Sequence, residues 1–323
     1  MLNPPFAVAP AATSHEAGPL NLLAITLTVI LCLSWGLNQV AIKLALPDVP
    51  PLTQATIRAA GATLLLAVWM WIRGISFDVR DGTLKPGLLI GLLFAVQFVL
   101  IYQGLLYTSA SRSIVYLYTA PIFVVIGSRF FLPGERFTAF QWAGIAVSFS
   151  GIVLAFGESS PFAKPEQALG NAMMVLAAVC TAGTTLVAKA SALSRARFEK
   201  TLLYQLAMSI PVSALCACSL GEIVGSSLSG VAAGSLVFQT LWVAGITYLV
   251  WYALLQRNSA NRLAALTFLT PLFGVAAGNL ILGEPLTPWF LIAAAMVTLG
   301  ALMPRVPDLW TLLHARLPTQ HGR

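Results

Sequence analysis

The chain has 323 residues, of which 58% are hydrophobic and 9% charged, with 18 Lys+Arg against 11 Asp+Glu and a formal net charge of +7. A soluble domain carries about 25% charge, so this composition excludes a water-facing globule. The basic residues are scattered singly between apolar runs, which excludes nucleic acid as a partner and leaves the lipid bilayer as the expected one.

In chain order, Met1 to Asn21 holds Pro4, Pro5 and Pro10 but no Lys or Arg. It lacks the basic start of a cleaved signal peptide and reads as a disordered tail, 1–21. A membrane span needs about 20 apolar residues to cross about 30 Å of hydrocarbon. Such runs follow at 22–43, 52–72, 86–107, 112–132 and 138–157, then, after a linker at 158–168, at 169–190, 200–221, 231–255, 261–282 and 286–304. Residues 305–323 form a second tail, in which Leu309, Leu312, Leu313 and Leu317 recur at helical spacing, as in a short interfacial helix or a frayed end. The expectation is an all-α membrane protein of ten transmembrane helices, too tightly spaced to include a soluble domain.

Summing basic residues by side tests the count. With ten spans, 14 of the 18 Lys and Arg fall on the side of the termini, and Lys43, Arg112 and Lys164 on the other, with Arg58 inside the second span. Positive loops stay in the cytoplasm, so a multi-pass inner (plasma) membrane protein with both termini cytoplasmic is expected.

Shifted by 150 residues, Tyr102 to Leu132 aligns with Tyr252 to Leu282 at nine identical positions, among them Ser109/Ser259, Arg112/Arg262 and Pro121/Pro271. Gly134-Glu135 then meets Gly283-Glu284, and an offset of 146 lays the sixth span on the first, with Lys43 on Lys189. Two five-helix repeats follow, 22–157 and 169–304. Five is odd, so the second repeat is inverted in the membrane, an arrangement that secondary transporters use for alternating access.

Candidate site residues come from polar groups that lipid would penalise. Trp35, Asn38 and Gln39 share one face of the first span, and Thr181, Thr184 and Thr185 occupy the matching places in the sixth. Gln97 of the third span pairs with Thr247 of the eighth, near Tyr248, Trp251 and Tyr252, and Tyr102 joins them as a cavity candidate. Arg58 has no carboxylate within the spans to pair with, which leaves helix carbonyls or a substrate carboxylate as its partners. All 11 acids lie in tails, loops or helix ends, so carboxylate-based proton coupling and recognition of lipophilic cations are not expected. Pro121 and Pro271 sit mid-span at matching places as candidate hinges. Gly87/Gly91, Gly230/Gly234 and Gly274/Gly278 are spaced for close helix packing. Trp69, Trp71, Trp142 and Trp289 sit at interfacial depth, and Glu135 and Glu284 read as bonding to loop amides or a nearby Arg. The four cysteines have no metal-ligand spacing and the histidines lie in the tails, so no metal or cofactor is expected, and an intramembrane enzyme would lack His, Asp or Glu at depth.

Several of these segments together resemble the EamA-type branch of the drug/metabolite transporter superfamily. Trp35-Gly36-Leu37-Asn38 with Lys43 is similar to its opening signature, and Arg58 to its recurrent arginine. Tyr107-Thr108-Ser109-Ala110, Thr119-Ala120-Pro121, Gly134-Glu135-Arg136 and Gln141-Trp142-Ala143-Gly144 resemble its most specific block. That block is partly repeated at Asn258-Ser259-Ala260, Thr270-Pro271 and Gly283-Glu284, whereas Thr181-Ala182-Gly183-Thr184 departs from the Trp-Gly pattern. The resemblance covers about residues 25–304. It implies a ten-helix inner-membrane carrier of small polar metabolites, first of all an exporter of amino acids, aromatic or hydrophobic ones among them, acting as a monomer or weak oligomer. Carriers of a nucleobase, vitamin or sugar derivative are the nearest alternative.

Overall fold

The computed structural model describes residues 22–131, 139–159, 165–222, 228–258, 263 and 266–303. Both expected tails, the Gly134-Glu135-Arg136 turn, Lys164, Ser259-Ala260 and Arg262 lie outside them. Among the described residues there is no strand. The helices are α1 (Leu22–Ala45), α2 (Pro51–Ile72), α3 (Leu84–Tyr107), α4 (Ala110–Leu117), α5 (Ala120–Phe131), α6 (Ala139–Ser159), α7 (Pro165–Ala190), α8 (Phe198–Ser219), α9 (Gly230–Val237), a π-helix (Phe238–Thr247), α10 (Tyr248–Arg257), α11 (Leu269–Leu282) and α12 (Pro288–Leu302). Among the described residues seven helical runs are long and apolar enough to cross a membrane, and the apolar segments Trp142–Ala155, Leu269–Leu282 and Pro288–Gly300 are shorter.

The packing crosses between the two halves of the chain. Helix α2 lies on α8, α3 on α7 and α8, α1 on α11, and α6 on α12. The outer faces carry Leu22, Trp71, Phe130, Leu280 and Leu299, all largely exposed, and the four expected interfacial tryptophans are exposed too. Polar side chains such as Gln54, Arg58, Gln239 and Thr247 are buried instead. This polarity, apolar outside and polar inside, suits a lipid solvent.

Small residues permit the closest crossings. A Cβ on Gly36 would stand 2.7 Å from the Gly274 backbone nitrogen and 3.0 Å from the Thr270 carbonyl, so α1 and α11 touch backbone to backbone. Gly87 and Gly91 meet Tyr204 and Met208 of α8, and Gly274 and Gly278 meet Ile114 and Ser111 of α4. The Gly230/Gly234 pair does not behave as its spacing suggests, because nothing lies within 4 Å of either position.

Two carboxylates of the second half cap helices of the first. Glu284 accepts hydrogen bonds from the backbone nitrogens of Ala110 (2.6 Å) and Ser111 (2.8 Å) and from the Ser111 hydroxyl (2.6 Å) at the start of α4. Glu222 does the same for α2, accepting from Leu52 N (3.0 Å), Thr53 N (2.8 Å) and the Thr53 hydroxyl (3.0 Å), and also from Gln103 Nε2 (3.2 Å). The first turn of a helix has amides with no internal acceptor and a positive dipole end, so a carboxylate serves both needs. At the other end of α2, the 73–83 loop is tied to α8 by Lys200, whose Nζ donates to the Asp78 carbonyl and lies 2.6 Å from Asp81 Oδ2.

Candidate functional site

The span expected at 112–132 is two helices. Tyr118 and Thr119 turn between α4 and α5, with Thr119 N and its hydroxyl both donating to the Tyr116 carbonyl. Pro121 falls in the first turn of α5, where a missing N–H costs little. The matching place in the second half has the same form, with Phe268 turning into α11 and Pro271 in its first turn. Mid-span prolines here do not kink a continuous helix; the helix ends and a new one begins.

This break opens onto a cavity of about 370 Å³, within the range of about 300–1,000 Å³ usual for small-molecule sites. Helix α1 supplies Trp35, Asn38 and Gln39 to its wall, α2 Arg58, and α3 Gln97, Phe98 and Ile101. The break supplies Leu117, Tyr118, Ala120 and Pro121, and the second half Thr181, Val243, Tyr248, Trp251 and Thr270. Both halves therefore build it.

The structure brings together Trp35, Asn38, Gln39, Arg58, Gln97, Thr181, Tyr248 and Trp251 from the residues singled out in the sequence. Tyr102, Thr184 and Thr185 stand apart from the wall. Tyr102 is fully buried and donates to Gln239 Oε1 at 2.6 Å. The hydroxyls of Thr184 and Thr185 bond the carbonyls of Cys180 and Thr181 one turn earlier, each at 3.0 Å, which satisfies them within their own helix. Tyr252 packs instead on Phe198, the rings stacked 4.1 Å apart.

Arg58 is 2% exposed, and its guanidinium lies over the Phe98 ring at 4.0 Å. Stacking covers one face and leaves the in-plane N–H groups to point elsewhere. Among the described residues no acceptor takes a hydrogen bond from it, and its Nε is buried without a partner. The amides of Asn38 and Gln39 are in the same condition: each residue is 6% exposed, with a buried, unpartnered oxygen. Nearly all buried polar groups in folded proteins are paired, so these three and the Thr270 hydroxyl, which is unpartnered on the same wall, set this cavity apart from the rest of the described interior. No Asp, Glu or His is among the residues lining the wall.

Aromatic groups form the rest. Trp35 donates its Nε1–H to the Thr247 hydroxyl at 2.9 Å and meets Trp251 edge-on, centroids 5.5 Å apart. Tyr118 meets Phe268 edge-on at 6.3 Å. Behind this layer, Gln239 Nε2 donates to Gln54 Oε1 (3.2 Å) and Gln54 Nε2 to the Val49 carbonyl (2.8 Å), joining the π-helix to α2 and the loop before it. Sequence reading passed over Gln54 and Gln239. Their matched partners across the chain are the signal, and only the fold reveals them.

A largely apolar and aromatic cavity with a few polar groups, built from both halves inside a bundle of apolar helices, fits one class: a membrane transport protein for small solutes. The chain belongs to the EamA-like transporter family, whose model matches residues 22–157 and 168–304. It is 31% identical to an uncharacterized transporter of Archaeoglobus fulgidus over 86% of this chain and 95% of that protein. It is 25% identical to the "Probable amino-acid metabolite efflux pump" of Escherichia coli, covering 89% of this chain and 94% of that one. A crystal structure with 21% sequence identity matches 92% of this chain and 99% of its own, with a TM-score of 0.62, and that likeness concerns the fold alone.

Proposed function

We propose that the protein carries small carboxylate-bearing metabolites, amino acids with apolar or aromatic side chains foremost, outward across the inner membrane by alternating access. In this reading the seven long and three shorter apolar helical segments make ten crossings, with inverted repeats, cytoplasmic termini and a monomeric or weakly associated carrier. The observation that carries the proposal is Arg58, buried, without an acceptor among the described residues, and on the wall of a cavity whose lining residues include no acid. A guanidinium inside a membrane span costs about 2.5 kcal/mol or more unless paired or hydrated. A substrate carboxylate supplies that pairing, bidentate and charge-assisted.

Trp35, Phe98, Tyr118, Tyr248 and Trp251 suit an apolar or aromatic side chain on the same substrate, and the efflux-pump names of two relatives support export of amino-acid metabolites. With no carboxylate on the wall, transport in proteoliposomes should persist without a pH gradient.

The test is a thermal-shift screen of amino acids and other metabolites on the purified protein, since a ligand that binds the folded state raises its unfolding temperature. Hits should lose their effect in Arg58→Ala and weaken in Arg58→Lys, which keeps the charge but not the planar fork. Hits indifferent to both substitutions would overturn the assignment of Arg58. Hits confined to nucleobases or sugars would overturn the substrate class.

A further inference from the structure

A carboxylate held by Arg58 is one pole of a substrate, and several acceptors on the same wall remain unused. The Leu117 carbonyl lies at the end of α4, and the residue four positions on, which would return an N–H to it, is Pro121, which has none. In the second half the corresponding carbonyl, Thr267, accepts from Thr270 N at 3.0 Å. Among the described residues no backbone nitrogen makes that bond to Leu117. The carbonyl end of a helix also carries partial negative charge. Leu117 and Pro121 both line the cavity, as do Asn38 and Gln39. Neither amide is held by a hydrogen bond among the described residues, so each can turn its oxygen inward.

We propose that the Leu117 carbonyl, with the amide oxygens of Asn38 and Gln39, forms a subsite for a substrate ammonium group. The cavity then selects zwitterions over simple carboxylates. An ammonium has three N–H donors, and this subsite offers three acceptors. They come from a helix end and two neutral amides, so the charge is met by oriented dipoles where the wall has no acid. Arg58 on α2 takes the carboxylate, so the inference rests on the proposed function and extends it. The subsite belongs to the first half alone, because the Thr267 carbonyl already has a donor. The two halves, although matched in sequence, therefore contribute unequally to the substrate.

The experiment titrates the purified full chain with L-phenylalanine, 3-phenylpropanoate and 2-phenylethylamine, reading apparent affinity from the rise in unfolding temperature, and repeats the comparison with L-leucine and 4-methylpentanoate. The zwitterion should bind at least tenfold more tightly than the acid lacking the amino group, in either series. Gln39→Leu and Asn38→Leu should narrow that ratio by weakening the amino acid more than the deaminated acid. Pro121→Ala, which restores an N–H for the Leu117 carbonyl, should narrow it as well. Equal or tighter binding of the deaminated acids to the unaltered protein would overturn the ammonium subsite while leaving Arg58 as the carboxylate site. Binding of 2-phenylethylamine with no binding of either acid would overturn both.

Discussion

Replacing Glu284 by Gln tests whether the second half holds α4 in place. The carboxylate accepts from two backbone amides and one hydroxyl at 2.6–2.8 Å, in a residue only 9% exposed. A glutamine keeps one oxygen and turns an N–H donor toward a second donor, so at least one buried backbone amide loses its acceptor. An unsatisfied buried donor costs about 1–3 kcal/mol, and losing the negative charge at a helix start adds about 0.3–1 kcal/mol. The expected destabilisation is about 1.3–4 kcal/mol. At about 2–4 °C per kcal/mol for chains somewhat shorter than this one, the unfolding temperature in detergent should fall by roughly 3–16 °C, read by intrinsic tryptophan fluorescence. Ser111→Ala removes the hydroxyl bond but leaves both amides capped, and should cost less. A Glu284→Gln protein unfolding within about 1 °C of the parent would refute the reasoning, because that allows well under 1 kcal/mol for the cap.

Gly36→Ala places a methyl 2.7 Å from the Gly274 backbone nitrogen; separating two helix backbones to admit it should cost about 1–3 kcal/mol, visible in the same unfolding assay. Hydrogen bonds from Lys200 and then Thr83 draw the Asp81 carboxyl below its ordinary value, to about 2. Because the folded value lies below the unfolded one, the tether contributes fully above about pH 4 and is lost as pH falls through about 2. Asp81→Asn should therefore flatten the acid limb of a plot of unfolding temperature against pH, and an unchanged limb would count against the tether. Trp35→Phe removes the 2.9 Å bond to Thr247, whose own hydroxyl still reaches the Val243 carbonyl at 2.6 Å. Ligand affinity should drop several-fold, with stability changing by less than about 1.5 kcal/mol, the net worth of one neutral hydrogen bond.

The apolar runs were legible because lipid demands continuous runs of apolar residues and tolerates little else. Trp35, Asn38 and Gln39 were legible for a related reason: a polar face on a membrane helix has few places to go. Arg58 stood out by lacking an acid partner. That Thr184 and Thr185 stand off the cavity wall is not legible, because a threonine hydroxyl can satisfy itself on the carbonyl of the preceding turn, which composition does not reveal. The π-helix at Phe238–Thr247 has no residue pattern that separates it from an α-helix, so the run at 231–255 reads as one helix. The sequence reading of Glu284, bonded to loop amides or a nearby Arg, is right in giving it amide donors, but those amides are the first turn of α4 and not a loop. Glu222 went unnoticed because its partners, Leu52 and Thr53, lie about 170 residues away in sequence.

The two cross-chain caps bear on how the protein is made. Helices α2 and α4 are synthesised first, and the carboxylates that complete their first turns arrive only with Glu222 and Glu284. Until then those turns must be served by water, headgroups or the insertion machinery. The first half released alone, α1 to α6, would keep uncapped amides at two helix starts. Co-expression of the two halves as separate polypeptides would show whether the second half acts as the finishing partner of the first.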